Sequence, residues 1–252
     1  MALDGKHAFV TGGGRGIGRA VAAALASAGA VVTVIGRTEA PLREAVDAGD
    51  AAGCGVADVT DVIEVKREVT AAEAARGPIA ILVNNAGSVE TGAFTKADPS
   101  VFRTMWNVHL MGAVYASQAV LPGMIERGFG RIVNVASTAG LKGYPYVAAY
   151  CAAKHALVGL TRALAAETAA RGITVNAVCP GYTDTELVRD SISRVAGKTG
   201  RAHADVLAEY TQDAPIGRLI RPQEVAAAVL YLCSLEAAAV TGTTLAVAGG
   251  EI

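Results

Sequence analysis

Short apolar runs rich in β-branched residues recur along this chain, with segments of helical length between them. Such runs are typical of strands buried on both faces of a sheet, because other parts of the chain then cover each face. They occupy residues 7–11, 31–35, 79–84, 131–136 and 174–179. A chain in which strands and helices alternate in this way is predicted to form a parallel sheet covered by helices.

The segment between the first two runs predicts a helix over residues 17–28. Its apolar residues recur at helical spacing, and Gly29 follows as a typical helix terminator. No linker, charge run or internal repeat divides the rest of the chain, so we predict one α/β domain over residues 1–252 with a doubly wound parallel sheet. Ligands of such sheets bind beyond the carboxyl ends of the strands, and candidate site residues are expected there.

The composition disfavours several classes of protein. The 252 residues are 52% hydrophobic, and 22 Lys and Arg residues against 23 Asp and Glu residues give a net charge of −1. Binding of nucleic acid or of a membrane surface through bulk charge is therefore not expected. We expect small-molecule partners instead. The four cysteines are far apart without a CxxC pair, which predicts neither a metal site nor a disulfide framework. This cysteine pattern indicates a reducing compartment, so we expect a cytoplasmic protein. The sequence contains no recognisable leader or membrane-spanning apolar stretch, which predicts a soluble, unprocessed chain.

A glycine-rich loop, TGGGRGIG, follows the first predicted strand and leads into the first helix. Glycines there let the backbone approach a pyrophosphate closely, and the amino end of the helix offers N–H donors to it. The spacing of Gly12, Gly16 and Gly18 does not match the GxGxxG fingerprint. A tight strand-to-helix turn without a ligand therefore remains an alternative.

Three further motifs follow the glycine loop along the chain. They are NNAG at residues 84–87, Ser137 at the end of a strand, and a tyrosine and a lysine four residues apart, Tyr150 and Lys154. In this order and at these spacings, and with the PG pair at residues 180–181, the motifs resemble the short-chain dehydrogenase/reductase family over almost the whole chain. The resemblance implies a Rossmann-like seven-stranded sheet, a bound nicotinamide dinucleotide and a homotetramer.

Reducing a carbonyl needs a proton donor beside its oxygen, and a tyrosine with a pKa of about 10 is a poor donor without activation. Lys154 lies one helical turn beyond Tyr150, so its ammonium can lower that pKa and can also reach the nicotinamide ribose. Ser137 can orient the substrate oxygen. The resemblance adds Asn107, whose local kink would hold a water beside Lys154, and so implies a catalytic set of Asn107, Ser137, Tyr150 and Lys154. A solvent-facing pair of Tyr150 and Lys154 is the alternative.

The resemblance also implies the cofactor contacts. Asp58, after a third strand-like run at residues 55–59, would bind the adenine amino group, although a helix N-cap is an alternative for it. Asn85, Ala86 and Gly87 would lie along the adenosine ribose. The predicted cofactor residues are Gly12, Arg15, Gly16, Ile17, Gly18, Arg37, Asp58, Val59, Asn85, Ala86, Gly87, Tyr150, Lys154, Pro180, Gly181, Thr183 and Thr185.

The end of the second predicted strand favours NADP over NAD. An NAD site usually has an Asp or Glu about 20 residues beyond the glycine loop, which binds the ribose 2′-hydroxyl. Here the strand is followed by Gly36 and Arg37 instead, and Arg37 with Arg15 could bind a 2′-phosphate. Glu39 is close enough for NAD to remain possible, and a solvent-facing Arg37 is the alternative.

The substrate region, residues 179–215, resembles family members that act on 3-hydroxybutyrate. The polar positions that hold the substrate carboxylate in those enzymes are Val89, Ala139, Val147 and Ser191 in this chain. A free short hydroxy acid is therefore disfavoured. We expect a 3-oxoacyl or 3-hydroxyacyl thioester, or a hydrophobic ketone.

The family uses a segment at about residues 185–214 as a flexible lid over the substrate. A helix in this segment would place Arg194, Lys198 and Arg201 on one face, where they could meet the phosphates of a coenzyme A thioester. A solvated helix face is the alternative, because acidic residues are interleaved with these cations.

Two other functions remain as alternatives. A regulatory protein that binds a dinucleotide without turnover would share the fold, and a nucleotide-sugar epimerase would share the tyrosine and lysine pair. His109 and the other histidines form no ligand pair in the sequence, so we assign His109 no role and expect no metal.

Overall fold

Seven strands and nine α-helices alternate along residues 3–252, the part of the chain that the computed structural model describes; residues 1–2, at the start of the segment expected to hold no leader, lie outside it. The strands are β1 (His7–Thr11), β2 (Val31–Gly36), β3 (Gly53–Val56), β4 (Ile79–Asn84), β5 (Gly130–Val135), β6 (Ile173–Pro180) and β7 (Thr244–Val247). The helices are α1 (Gly16–Ser27), α2 (Glu39–Asp47), α3 (Val62–Arg76), α4 (Pro99–Trp106), α5 (Gly112–Arg127), α6 (Ala148–Thr168), α7 (Glu186–Thr199), α8 (His203–Thr211) and α9 (Pro222–Cys233).

All seven strands form one parallel sheet in the order β3-β2-β1-β4-β5-β6-β7. The predicted doubly wound α/β fold is therefore confirmed. Side chains alternate between the two faces of the strands, and so two hydrophobic layers form. Val10 and Val34 pack under α1 and α9 on one face, whereas Phe9 and Ile132 pack under α3 and α5 on the other.

The strands predicted from apolar runs are present, and most ends agree to within one residue. The third strand differs, because β3 ends before the predicted run does. Asp58 Oδ1 accepts hydrogen bonds from the backbone N–H of Thr60 at 2.9 Å and from its hydroxyl at 2.8 Å. This side chain turns the backbone away from the sheet at a point where the apolar pattern continues.

The point at which the chain changes direction across the sheet determines where a ligand can bind. β1 pairs with β2 on one side and with β4 on the other, so loops after β1 and β4 leave in different directions and a crevice opens between them. The glycine loop follows β1, and the NNAG segment contains the end of β4. Both motifs therefore lie at this crevice.

One helical stretch within residues 3–252, Pro99–Arg127, is long and apolar enough by length and composition to cross a membrane, with a mean hydropathy of 1.3. It comprises α4, a π-helix (Asn107–Met111) and α5. In this fold 44% of its apolar window is buried, and α5 packs on β4 and α3. A core helix has the same length and composition.

Substitution of Gly18 tests how tightly α1 packs against the glycine loop. A Cβ at Gly18 would lie 2.2 Å from the carbonyl oxygen of Gly12, whereas a Cβ at Gly159 on α6 would meet nothing within 4 Å. We expect Gly18→Ala to lower stability by about 1–3 kcal/mol, because rigid backbone must move. The control Gly159→Ala should raise stability by about 0.5–1 kcal/mol through helix propensity. Thermal unfolding measures both; equal midpoints for the two variants would contradict this packing.

Candidate active site

The glycine loop and the NNAG segment form one platform at the crevice. Asn85 Nδ2 donates to the carbonyl oxygens of Thr11 at 3.0 Å and Gly12 at 3.1 Å. The Thr11 hydroxyl accepts from the backbone N–H groups of Asn85 and Ala86, each at 3.0 Å. Gly12 has a φ of 65°, and a Cβ there would lie 2.9 Å from Ala86 Cα. Only glycine permits this approach, which leaves the surface of the platform to backbone atoms.

The amino end of α1 opens onto this platform. Arg15 is the N-cap residue, its side chain makes no capping hydrogen bond, and the first turn of α1 holds no acidic residue. The first backbone N–H groups of this helix therefore face the crevice without a side-chain partner, and the helix dipole favours an anion there. These features fit the pyrophosphate of a dinucleotide.

A cavity of about 490 Å³ extends from this platform to the carboxyl ends of β5 and β6. It brings together most residues predicted from the sequence for catalysis and cofactor binding. Those that line it are Gly12, Arg15, Gly16, Ile17, Asn85, Ala86, Gly87, Ser137, Tyr150, Lys154, Pro180, Gly181, Thr183 and Thr185.

Four predicted cofactor residues lie outside the lining of this cavity. Gly18 packs against the glycine loop itself, and Val59 is buried against Gly112. Asp58 is half-buried and holds the turn after β3, while the N-cap of α3 is Asp61. The N-cap alternative for Asp58 is therefore wrong. The fourth residue, Arg37, is exposed directly after β2.

Two ion pairs near the glycine loop engage charged side chains that could otherwise contact a cofactor. Arg15 Nη1 lies 3.2 Å from Glu186 Oε2, so the loop is joined to the start of α7. Arg43 Nε donates to Glu39 Oε1 at 2.8 Å on α2. The carboxylate that left NAD possible is thus engaged by Arg43, and Arg37 is the cation at the end of β2.

Tyr150 and Lys154 lie in the first two turns of α6, with the Lys154 Nζ 5.6 Å from the centroid of the Tyr150 ring. Lys154 is only 4% exposed and donates to the carbonyl oxygen of Val135 at 2.7 Å. Burial lowers the pKa of Lys154 to about 7. Burial also raises the pKa of Tyr150 to about 12, although its hydrogen bond with the Ser137 hydroxyl offsets part of the rise. Because both groups are shielded from water, a nearby charge can shift the pKa of either one strongly.

Ser137 follows β5 at the same end of the cavity. Its hydroxyl oxygen accepts from the backbone N–H of Ala139 at 3.1 Å, and its remaining hydrogen-bonding capacity faces Tyr150. A substrate oxygen between Ser137 and Tyr150 could receive a hydrogen bond from each.

The side chain of Asn107 does not join the other predicted catalytic residues. The helix is interrupted where the sequence indicated, because Asn107 begins the π-helix, but its side chain is exposed and lies outside the cavity. Residues two apart on a helix point in nearly opposite directions, so an outward Asn107 brings His109 inward. His109, to which the sequence assigned no role, lines the cavity instead.

His109 packs against the candidate catalytic tyrosine. Its ring meets the Tyr150 ring edge to face at a centroid distance of 5.1 Å, and its Nε2 lies 2.7 Å from the carbonyl oxygen of Ser88. The sequence held a signal for this position, because Met105, His109 and Ala113 are four residues apart and all three are buried.

The substrate end of the cavity has an apolar and aromatic wall. Of the four positions predicted to replace a carboxylate clamp, Val89, Ala139 and Val147 line the cavity, whereas Ser191 hydrogen-bonds Tyr210 between α7 and α8 at 2.9 Å. Tyr182 also lines this wall, together with Tyr144 and Leu187, two lining residues that the sequence analysis did not identify.

A buried carboxylate neutralises Lys142, a cation beside the Tyr144 ring of this wall. Glu251, whose side chain is 3% exposed, lies 3.1 Å from Lys142 Nζ and accepts a hydrogen bond from the Tyr144 hydroxyl. No pattern around Glu251 in the sequence indicated this contact.

The segment expected to act as a lid forms α7 and α8 beside the cavity. α7 ends at Thr199, and Gly200 turns the chain with a φ of 69°, so Arg201 leaves the helix and pairs with Glu209 on α8 at 2.7 Å. The predicted row of three cations is therefore wrong, and Arg194 and Lys198 alone share a face of α7. Elsewhere in residues 3–252, no group of three or more His, Cys, Asp or Glu side chains could hold a metal ion.

Comparisons with known proteins agree with this geometry. A family model described as short chain dehydrogenase matches residues 6–196. The 2-(S)-hydroxypropyl-CoM dehydrogenase 3 of Xanthobacter autotrophicus is 42% identical over 98% of this chain and 97% of its own length. An acetoacetyl-CoA reductase of Shinella zoogloeoides is 39% identical over 98% of both chains.

A solved structure extends the likeness to three dimensions. A variant of the actinorhodin polyketide ketoreductase with NADPH superposes with a TM-score of 0.93 at 38% identity, over 98% of this chain and 97% of that one. The resemblance recognised from the glycine loop, NNAG, Ser137 and the tyrosine and lysine pair is confirmed. The chain belongs to the short-chain dehydrogenase family and is an NAD(P)-dependent oxidoreductase that acts on a carbonyl/alcohol pair.

Proposed function

We propose that this protein uses NADPH in preference to NADH to reduce the carbonyl group of a 3-oxoacyl thioester or of a hydrophobic ketone, and that it oxidises the corresponding alcohol in reverse. The observation that carries the proposal is the convergence of Tyr150, Lys154 and Ser137 on a cavity with an apolar far wall. A dinucleotide-binding regulator without turnover would not need these three side chains together.

In the proposed reaction the nicotinamide cofactor supplies the hydride when bound. Tyr150 donates its phenolic proton to the carbonyl oxygen, and Ser137 donates a hydrogen bond to the same oxygen. Lys154 in its protonated form favours the Tyr150 phenolate that remains, because an opposite charge at close range stabilises the ionised form. Its contact with Val135 directs the ammonium toward the cavity.

Arg37 supports the preference for NADPH. It is exposed at the end of β2, where an NAD site usually has an acidic residue, and Glu39 is engaged by Arg43. Arg15 would contribute as a second cation only when its contact with Glu186 opens. We therefore assign Arg37 the larger share of 2′-phosphate recognition.

The charges around the far wall support an uncharged or thioester-linked substrate. Glu251 neutralises Lys142, and Asp184 holds Arg189 through two hydrogen bonds at 2.7 and 2.9 Å. A free carboxylate would find no uncompensated cation at the far wall among the described residues. Burying such a carboxylate without a partner costs on the order of several kcal/mol, as it does for other unpaired buried ions.

The assembly and location of the protein are part of the same proposal. Family resemblance supports a homotetramer in the cytoplasm. The helices α7 and α8 would act as a lid over the substrate end of the cavity. Large apolar side chains exposed near and on α4, Phe94 and Trp106, provide surface that an assembly could bury.

Tyr150→Phe tests the proton donor. The substitution keeps the ring against His109 but removes the hydroxyl, so kcat should fall by about 100-fold or more. NADPH affinity, measured by fluorescence titration, should stay nearly unchanged. Tyr231→Phe on the exposed face of α9 is the matched control and should retain full activity. Substantial turnover by Tyr150→Phe would contradict the mechanism.

Arg37→Ala tests cofactor selection. Losing a charge-assisted hydrogen bond to the 2′-phosphate should reduce the ratio of kcat/KM for NADPH over NADH by about 10- to 100-fold. Arg171→Ala is the control, because Arg171 is exposed just before β6, at the opposite edge of the sheet. An unchanged ratio in Arg37→Ala would refute this assignment.

Acetoacetate and its N-acetylcysteamine thioester test the substrate class, since they share the reacting ketone and differ in the charge beside it. We expect kcat/KM to be higher for the thioester by about tenfold or more, because the acid must bury an unpaired carboxylate. A decalin-type cyclic ketone serves as the neutral reference. Faster turnover of acetoacetate than of both neutral compounds would overturn the proposed class.

A further inference from the structure

Glu251 is a charged side chain held inside the structure beside the aromatic wall of the cavity. It is 3% exposed, its Oε1 lies 3.1 Å from Lys142 Nζ, and the same oxygen accepts a hydrogen bond from the Tyr144 hydroxyl. Lys142 and Tyr144 belong to the segment between β5 and α6, whereas Glu251 follows β7. A carboxylate is costly to bury without such partners, so the two contacts define where its charge can be placed.

Glycines make room for Glu251 at this place. A Cβ at Gly249 would lie 2.2 Å from Ile216 Cγ2, and the Gly249 carbonyl oxygen accepts from the Ile216 N–H at 3.1 Å. Gly250 follows with a φ of 90°, which turns the chain back toward the cavity. A Cβ at Gly181 would lie 2.9 Å from Glu251 Oε2. The backbone therefore fixes the position of this carboxylate.

The Tyr144 hydroxyl has no hydrogen to offer a substrate. A carboxylate can only accept, so the single hydrogen of this hydroxyl is donated to Glu251. At Thr138, whose hydroxyl oxygen lies 2.6 Å away, Tyr144 then accepts. Burial raises the pKa of Tyr144, and the hydrogen bond to Glu251 raises it further, so the hydroxyl keeps its hydrogen.

The ring of Tyr144 is the part that the cavity receives. The ring of Tyr182 meets it at 76°, with the centroids 6.4 Å apart, and both residues line the cavity. Lys142 Nζ lies 4.9 Å from the centroid of the Tyr144 ring, yet neither Lys142 nor Glu251 belongs to the lining. An ammonium and a carboxylate that cancel each other thus lie next to an aromatic surface.

We propose that Glu251 is a specificity-determining residue, which masks a latent carboxylate-binding site formed by Lys142 and the Tyr144 hydroxyl. It cancels the ammonium and takes the hydrogen of the hydroxyl, so the wall offers a substrate only aromatic surface. Without this carboxylate the same two groups supply a cation and a hydrogen-bond donor, which together bind a carboxylate. The inference rests on the proposed function, because it assigns to one residue the rejection of free acids.

Glu251→Gln tests this role, because it keeps the size of the side chain and removes its charge. The readout is kcat/KM for acetoacetate divided by kcat/KM for its N-acetylcysteamine thioester. We expect this ratio to rise by about tenfold or more, since the Lys142 ammonium loses the carboxylate that neutralises it. A merely structural role would lower both rates and leave their ratio in place.

The double variant Glu251→Gln with Lys142→Gln is the matched control. It lacks the cation as well, so its ratio should return to within about threefold of that of the unmodified protein. Thermal unfolding and NADPH dissociation constants of both variants report whether the fold and the cofactor site remain intact.

Lys142→Gln gives a reciprocal test that does not alter the buried carboxylate. Lys142 is 34% exposed, so its replacement is tolerated more readily than that of Glu251. A methyl ketone that carries a trimethylammonium group is compared with its neutral tert-butyl isostere. In this variant kcat/KM for the cationic ketone should rise relative to the isostere by about fivefold or more, because a free carboxylate and an aromatic ring both attract such a cation.

The outcomes separate this inference from the proposed substrate class. Faster turnover of acetoacetate than of the thioester by the unmodified protein would overturn both. In a protein that prefers the thioester, an unmoved ratio in Glu251→Gln would overturn the inference alone. So would a gain that persists in the double variant, or the absence of any gain for the cationic ketone in Lys142→Gln.

Discussion

A buried chain of hydrogen bonds joins the two central strands to the catalytic helix, and the geometry of the site depends on it. Asn84 at the end of β4 donates to Asn134 of β5, and Asn134 donates to Thr161 in the middle of α6. Each of these side chains is almost fully buried, so a missing partner would cost about 1–3 kcal/mol. This network of hydrogen bonds therefore favours a single register of α6 on the sheet. That register places Tyr150 and Lys154 opposite the NNAG segment.

The same burial gives the active site its electrostatic character. Lys154, Tyr150 and His109 lie in one dry region, where each group resists its charged form. A lysine with a pKa of about 7 responds strongly to a nearby charge or hydrogen bond, which a fully solvated lysine does not. Small polar contacts around Lys154 therefore have chemical consequences.

Charge compensation shapes the rest of the cavity. Around the substrate wall the cations Lys142 and Arg189 are each held by a carboxylate, while Arg15 reaches across to Glu186 at the start of α7. The exposed pairs contribute little to stability, because solvent screens them. Their effect is on recognition, since they leave Arg37 as the exposed cation at the end of β2 and leave the far wall without net positive charge.

The sequence by itself determined the sheet, the glycine loop, Ser137 and the pair Tyr150 and Lys154, because each depends on local periodicity or on spacing within one element. The tertiary structure alone decided which side chains face inward on the π-helix, where Asn107 turns out and His109 turns in. It also decided that Arg201 leaves α7, because that depends on the turn at Gly200 and a partner on α8. Glu251 and Glu186 reach their partners from distant parts of the chain. Contacts of this kind arise only when the packed sheet brings separate segments together, so no local pattern could have revealed them.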